Sequence, residues 1–405
     1  MRQKQSSKVR IGIVGTGGMA RAHLQGYRAL VDAGYDQFEI AALSDVNEER
    51  RKAFAAVVEE LFGLSPLQFA SAEEMAQRGD LNAADICTPH AFHHSVAVPC
   101  LEAGLDVMVE KPCGISIKAT DQIIKAASKK DRIVAVAEQV RRGLKARCME
   151  WAINHAQMVG ALRFLSVTGF SEMDFAAQKD AYAWQWRFLR LLTGGGMAFD
   201  AGVHFADMMD FLFGDVEEVS AWTKTFQSVM VDSPELGPQP MDVEDTWMAI
   251  ITFKSGLVCN WSWSFSALGE KVAAQILYGA LGSIRDRGGW MHTFQNGGDI
   301  TYADGARKPY EEIEAEYRAQ LEPEVRERLF PFGIEHDIAL ECWDFIDSVQ
   351  KRRKPEIDAE TAKRTKSLCL AIYESALAGR PVKVADVFTG KISAYQDPIN
   401  DYWRI

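Results

Sequence analysis

Short apolar runs alternate with segments of helical period through the first third of the chain. The runs at 9–14, 38–43, 84–87, 106–109 and 133–137 read as buried strands. Between them, 18–33, 47–61, 93–103 and 119–130 read as amphipathic helices. Asn47 is a suitable N-cap, and Gly104 a suitable helix stop. Strands alternating with helices predict a parallel sheet with right-handed crossovers.

After about residue 140 the rhythm changes. One helix over about 144–158 leads to runs of β character at 162–168, 216–225, 247–253, 257–265 and 273–278. Turn signals such as Lys254-Ser255-Gly256 join several of them, which predicts a mostly antiparallel sheet. Helical period returns at 334–349 and 359–378. Two Gly/Pro-rich segments, 233–240 and 279–289, predict mobile loops. With 405 residues the chain exceeds one ordinary core. The expected organisation is a disordered arm (1–8), a dinucleotide-binding domain (9–140) and a substrate-binding and oligomerisation domain (141–405). The fold class is α/β: a doubly wound parallel sheet, then an α+β domain with a large, mostly antiparallel open sheet.

Charge and composition narrow the function. A net charge of −11 argues against a nucleic-acid partner, because such binding is driven by Lys and Arg on phosphates. No apolar run reaches the roughly 20 residues needed to span a bilayer. The polar, basic start MRQKQSSKVR is followed by too few apolar residues for a secretory signal. The seven cysteines are scattered, odd in number and without a C-x-x-C pair. That fits free thiols in a reducing cytoplasm and predicts no metal site.

The candidate chemistry sits at strand ends. Gly15-Thr16-Gly17-Gly18-Met19-Ala20 follows the first strand and opens a helix, so it reads as a dinucleotide turn. Gly15 permits the turn, Gly17 lets backbone approach a pyrophosphate, and the helix N-terminus supplies N–H donors. Asp45 follows the second strand, where a carboxylate accepts from ribose hydroxyls and repels a 2′-phosphate, favouring NAD over NADP. Thr88, Pro89 and His93 lie just past the next strand, at the expected cofactor edge. Glu110-Lys111-Pro112 ends the following strand, so Glu110 and Lys111 are expected at the cofactor, with an ammonium where open α/β sheets bind ligands.

Gly194-Gly195-Gly196 precedes Asp200 and His204, which are spaced i, i+4. The three glycines are expected to leave room for something to approach. Removing hydride from a carbinol also removes the hydroxyl proton, and a histidine is a natural base. A carboxylate one turn away can orient it, and Lys111 can stabilise the alkoxide. Trp186 and Arg187 are expected to line a sugar pocket, and Trp261, Trp263 and Phe265 to pack within the sheet or a subunit interface.

These motifs, in this order, resemble the Gfo/Idh/MocA oxidoreductase family. The matching residues are Gly15-x-Gly17-x-x-Ala20 with His23, Asp45, Thr88-Pro89-x-x-x-His93, Glu110-Lys111-Pro112 and Gly194-Gly195-Gly196-x-x-x-Asp200-x-x-x-His204. Val243-Glu244-Asp245-Thr246 and Tyr278-Gly279-x-x-Gly282-Ser283 add to the match. The resemblance implies a Rossmann domain and a second domain whose open sheet mediates homodimers or homotetramers. It also implies a catalytic trio of Lys111, Asp200 and His204, with His204 as proton acceptor. His90 stands where many relatives carry Asn, and 139–143 lacks the family's aromatic and proline. The expected activity is NAD-dependent oxidation of a secondary hydroxyl of a sugar, cyclic polyol or glycoside. An NAD-retaining redox-assisted glycosidase is the second reading, and a non-catalytic sugar or NAD sensor the third.

Overall fold

The computed structural model describes residues 8–177, 182–288 and 290–405. The expected disordered arm therefore lies outside the described residues, except for Lys8, which pairs with Asp36 at 3.2 Å. The chain divides into two compact units, Met1–Gln139 with Arg326–Ala362, and Val140–Val325 with Lys363–Ile405.

The first unit is built on a six-stranded sheet. Its strands are β1 (Val9–Val14), β2 (Phe38–Ser44), β3 (Leu67–Phe69), β4 (Ala83–Ile86), β5 (Asp106–Glu110) and β6 (Val134–Ala137). Their order is β3-β2-β1-β4-β5-β6, with every pairing parallel. This is the doubly wound order whose switch point lies between β1 and β4, and ligands bind outside the carboxyl ends there. Ile11, Ile13, Leu43, Val107, Met108 and Val109 are fully buried, as expected for strands covered on both faces. Sequence reading missed β3 and the helix Ala72–Arg78 behind it. Three residues are too few to show a period.

The helix Asp337–Lys351 belongs to this unit, which corrects the expected domain boundaries. It buries Ala339, Leu340, Cys342, Phe345 and Ile346. Burial of large apolar side chains like these contributes roughly 1.5–3 kcal/mol each. It packs on the helix Gly18–Asp32. At Gly26 a Cβ would lie 2.9 Å from Ile338, so that glycine lets the two helices meet closely. Nothing local in 334–349 states which sheet the helix covers.

The second unit carries a nine-stranded sheet. Its strands are β7 (Leu162–Phe170), β8 (Val216–Lys224), β11 (Thr246–Phe253), β12 (Val258–Ser264), β13 (Val272–Gly279), β14 (Gly282–Asp286), β15 (Gly298–Tyr302), β16 (Arg307–Lys308) and β17 (Val382–Lys383). A separate hairpin is formed by β9 (Met230–Ser233) and β10 (Gly237–Pro240). The sheet order is β16-β15-β14-β13-β7-β12-β11-β8-β17, antiparallel throughout except for β7 with β12. The expected loops at 233–240 and 279–289 thus contain paired strands: β10 and β14 fold there despite their Gly and Pro content. The expected helix at 144–158 is α-helical over Leu144–Glu150 and widens to a π turn over Trp151–His155.

The two faces of this sheet differ. Trp247, Ala249, Ile251, Cys259, Trp261, Trp263 and Leu277 fill the inner face. Gly169 makes room for Trp263, whose ring would lie 2.5 Å from a Cβ at that position. The outer face carries Phe164, Trp222, Met248 and Ile250, each 46–48% exposed. Phe164 stacks on Tyr278 at 4.5 Å.

Candidate active site

The first unit assembles a dinucleotide end at β1, β2 and β4. Gly15 takes φ +85°, and a Cβ there would lie 2.8 Å from the Cys87 carbonyl oxygen. Only glycine fits both demands. A Cβ on Gly17 or Gly18 would meet nothing within 4 Å, so there is open space beside the start of the helix Gly18–Asp32. Such a terminus attracts phosphate through its free donors and dipole. The Thr16 N–H and hydroxyl both donate to one Asp45 oxygen at 2.8 Å, and the Asn47 N–H donates to the other at 2.8 Å. The second oxygen, which accepts only from Asn47, keeps a further lone pair, so the carboxylate can still accept from a ribose hydroxyl. The buried Thr88 hydroxyl, past the carboxyl end of β4, has no hydrogen-bond partner among the described residues. An open cradle, a fixed acid and an orphaned hydroxyl fit NAD.

The cluster around Glu110-Lys111-Pro112 separates two roles. Lys111 is half-buried, follows β5 and joins Pro112 through a cis peptide. Glu110, expected at the cofactor, is buried and turned to His23, whose Nε2 lies 3.0 Å from it. Burial pushes the Glu110 carboxyl up, but the hydrogen bond and charge of His23 outweigh this and hold it below the usual range. His93, also expected at the cofactor, is fully buried. Its Nδ1 lies 2.9 Å from the Pro112 carbonyl oxygen and its Nε2 2.8 Å from that of Thr88. A neutral ring donates to one of these two carbonyls, so His93 is held by the protein's own backbone. Burial, then the charge of His90, lowers it to about 4.

The second unit places Asp200 and His204 on consecutive pieces of helix. Asp200 ends Met197–Asp200 and His204 lies in Gly202–Phe213, with Ala201 between the two. Both side chains are buried. Arg187 donates from Nε to Asp200 at 2.9 Å, and its guanidinium lies over Trp186 at 4.4 Å and Trp184 at 4.8 Å. The expected sugar-lining pair is thus also the support of Asp200. His204 meets His292 edge-on, with centroids 4.6 Å apart. His292 had no sequence signal, because a lone histidine in a loop carries none.

The triple glycine has a different cause from the one expected. A Cβ on Gly195 would lie 2.6 Å from the Tyr373 hydroxyl, and one on Gly196 2.7 Å from a Glu244 carboxylate oxygen. The groups that approach these glycines are the protein's own. Glu244 accepts from the N–H of Gly196 and of Ala198 and from the Tyr373 hydroxyl, each at 2.9 Å. It thereby caps the short helix that ends in Asp200. Burial pushes its carboxyl up to about 7 against the pull of these donors. A second support is Arg141, which donates from Nε to Asp207 at 2.6 Å and from Nη2 at 2.5 Å. This bidentate pair pins the helix one turn past His204. Arg141 falls in the stretch that departs from the family pattern, so sequence alone gave it no role.

A glycine turn after β1, an acid after β2 and a lysine after β5 define a nicotinamide-dependent oxidoreductase architecture. A family model described as an oxidoreductase family with an NAD-binding Rossmann fold matches residues 9–138, and a GFO/IDH/MocA C-terminal domain matches residues 157–285. The chain belongs to the GFO/IDH/MocA oxidoreductase family. Levoglucosan dehydrogenase of Pseudarthrobacter phenanthrenivorans is 27% identical over 261 residues, covering 61% of this chain and 65% of that protein. D-glucoside 3-dehydrogenase of Escherichia coli is 24% identical, covering 62% and 68%. The match thus spans about two thirds of these relatives. Among solved structures, levoglucosan dehydrogenase with NADH and levoglucosan superposes with a TM-score of 0.72 at 20% identity, covering 93% of this chain and all of that one. The WlbA dehydrogenase of Bordetella pertussis with NADH and UDP-GlcNAcA gives 0.70 at 22%, covering 93% and 98%. At these identities the likeness shows the fold.

Proposed function

We propose that this protein oxidises a secondary hydroxyl of a sugar, cyclic polyol or glycoside, with NAD as hydride acceptor. The observation that carries the reading is the placement of Lys111. It directly follows β5, at the carboxyl edge of the sheet whose glycine turn, Asp45 and Thr88 fit NAD. The relatives named levoglucosan, D-apiose and D-glucoside dehydrogenase support the substrate class. Bound NAD supplies the hydride acceptor. Within the proposal, the Lys111 ammonium stabilises the developing alkoxide. His204 accepts the hydroxyl proton, and Asp200, fixed by Arg187 and by the Glu244 cap, shapes the charge around it. Trp186 and Arg187 remain the proposed sugar-facing pair.

The outer face of the nine-stranded sheet supports the proposed homo-oligomer. Phe164, Trp222, Met248, Ile250 and Val258 form one apolar face across neighbouring strands. Free thiols at all seven cysteines support a reducing, cytoplasmic setting. Among the described residues no helix is long and apolar enough to cross a membrane.

The test is NADH formation from NAD with levoglucosan, D-apiose, myo-inositol and methyl and aryl glucosides. A rise with one subset supports a dehydrogenase. Aryl glucoside cleavage without NADH release supports the retained-cofactor glycosidase instead. Lys111→Ala and His204→Ala should each leave NADH binding intact while lowering kcat by about 10³-fold, the scale of lost acid–base or oxyanion support. Full activity in both would refute the trio.

A further inference from the structure

His23 has no part in the chemistry proposed above, yet it lies at the centre of a buried charge cluster in the first unit. It sits on the helix Gly18–Asp32, two turns from the glycine loop, and is completely buried. Its Nδ1 lies 2.9 and 3.0 Å from the two Asp85 oxygens. Its Nε2 lies 3.0 Å from Glu110 and 3.6 Å from Glu341. The Tyr27 hydroxyl donates to Asp85 at 3.0 Å, and the Cys87 sulfur lies 3.5 Å from Nδ1.

An imidazole with a carboxylate at each nitrogen can donate to both only as a cation. Burial favours the neutral ring, but the Asp85 charge and hydrogen bond prevail and hold His23 well above the usual histidine range. The second nitrogen holds Glu110, the residue immediately before Lys111. Successive strand residues point to opposite faces. Anchoring Glu110 on the inner side therefore sets the rotation of the backbone from which Lys111 leaves.

We infer that His23 is a positioning residue: as a buried imidazolium bridging Asp85 and Glu110, it fixes the end of β5 and so aims the Lys111 side chain. The inference rests on the reading of Lys111 as the alkoxide-stabilising group. The neighbouring ionisable groups on the packed elements belong to the same cluster: Tyr27 on the helix of His23, Asp85 and Cys87 at β4, Glu110 at β5, and Glu341 and Cys342 on Asp337–Lys351. His93 clamps the other side of the same turn through the Pro112 carbonyl. Lys111 is thus flanked by one charged and one neutral histidine, neither of which needs to touch substrate.

The experiment compares His23→Gln, Glu110→Gln, the double variant and Tyr27→Phe. Tyr27→Phe removes a donor to Asp85 but leaves the His23–Glu110 contact, so it reports general loosening of the cluster. His23→Gln and Glu110→Gln should each lower kcat roughly 10- to 100-fold, the effect of a small misplacement of a catalytic group, with KM and the NADH Kd unchanged. The double variant should be no worse than the poorer single one, because both act through one contact. Tyr27→Phe should lower Tm and leave kcat intact. Additive losses, or a rise in NADH Kd with kcat unchanged, would overturn the inference.

A substrate-free arm separates this outcome from failure of the proposed function. Trace acetylation by acetic anhydride gives the reactivity of Lys111 relative to the exposed Lys52, read by peptide mass spectrometry. It should change by the same factor in His23→Gln and Glu110→Gln and not in Tyr27→Phe. Equal reactivity in all four proteins refutes the positioning role even if no substrate is ever turned over. If His23→Gln fails to fold, Glu110→Gln against Tyr27→Phe decides the matter.

Discussion

A Cβ added at Gly17 or Gly18 would meet nothing within 4 Å, whereas one at Gly195 or Gly196 would strike Tyr373 or Glu244 at 2.5–2.6 Å. The two segments look alike in the sequence. In the first, glycines leave open space at a helix start, which suits a ligand that comes and goes. In the second, they admit a carboxylate that never leaves, and Glu244 does at Gly196 and Ala198 what a bound anion would do at Gly17 and Gly18. A glycine cluster therefore signals close approach, and only the surrounding structure says whether a ligand or the protein itself approaches.

Gly196→Ala is the harshest test of this contrast. Its methyl group has no direction in which to move, because backbone and carboxylate of Glu244 both face it. Overpacking of this kind costs about 3 kcal/mol. Displacement of the Met197–Asp200 helix should in addition lower kcat roughly 100-fold. Thermal unfolding and steady-state kinetics check both, and a variant with wild-type Tm and kcat would show that the segment can shift freely.

Gly17→Ala should behave in the opposite way. Its φ is negative and its Cβ would meet nothing within 4 Å, so Tm should move little. The methyl group would project into the space that fits the pyrophosphate. NADH Kd should rise about tenfold, equivalent to 1.4 kcal/mol. Fluorescence titration with NADH decides this, and unchanged affinity would remove Gly17 from the cofactor site.

The same contrast explains what was legible in the sequence. The doubly wound sheet could be read because β1, β2, β4, β5 and β6 are buried on both faces and separated by helical periods. Gly15, Asp45 and Lys111 could be placed because strand ends have a fixed chemical meaning in such a sheet. Glu244 was seen only as part of a family stretch, since its task depends on Gly196, some 48 residues away. The helix Asp337–Lys351 had its period but no address, for Gly26 and Ile338 meet only in three dimensions. His93 and Glu110 sat at the right strand ends, but their partners there, the Pro112 carbonyl and His23, meet them only in three dimensions.

The smallest expected effect probes the electrostatics of the second segment. Tyr373 is itself fully buried and raised well above the usual tyrosine range, mainly by burial and then by the Glu244 charge, so it stays a neutral donor across ordinary pH. Its hydroxyl pulls the Glu244 carboxyl down, while burial sets the net value at about 7. A carboxyl raised in the folded state contributes stability that is fully present below its unfolded value and is lost as pH rises through 7. Tyr373→Phe removes one donor to the anion and raises that carboxyl further, so its deficit grows as pH rises through 7. Unfolding by urea at pH 8 should show a loss of about 1 kcal/mol, typical of one hydrogen bond. At pH 6, where Glu244 is largely protonated in both proteins, the loss should be smaller. An equal deficit at the two pH values would mean that Glu244 keeps one charge state throughout, and that its cap on the Asp200 helix does not titrate.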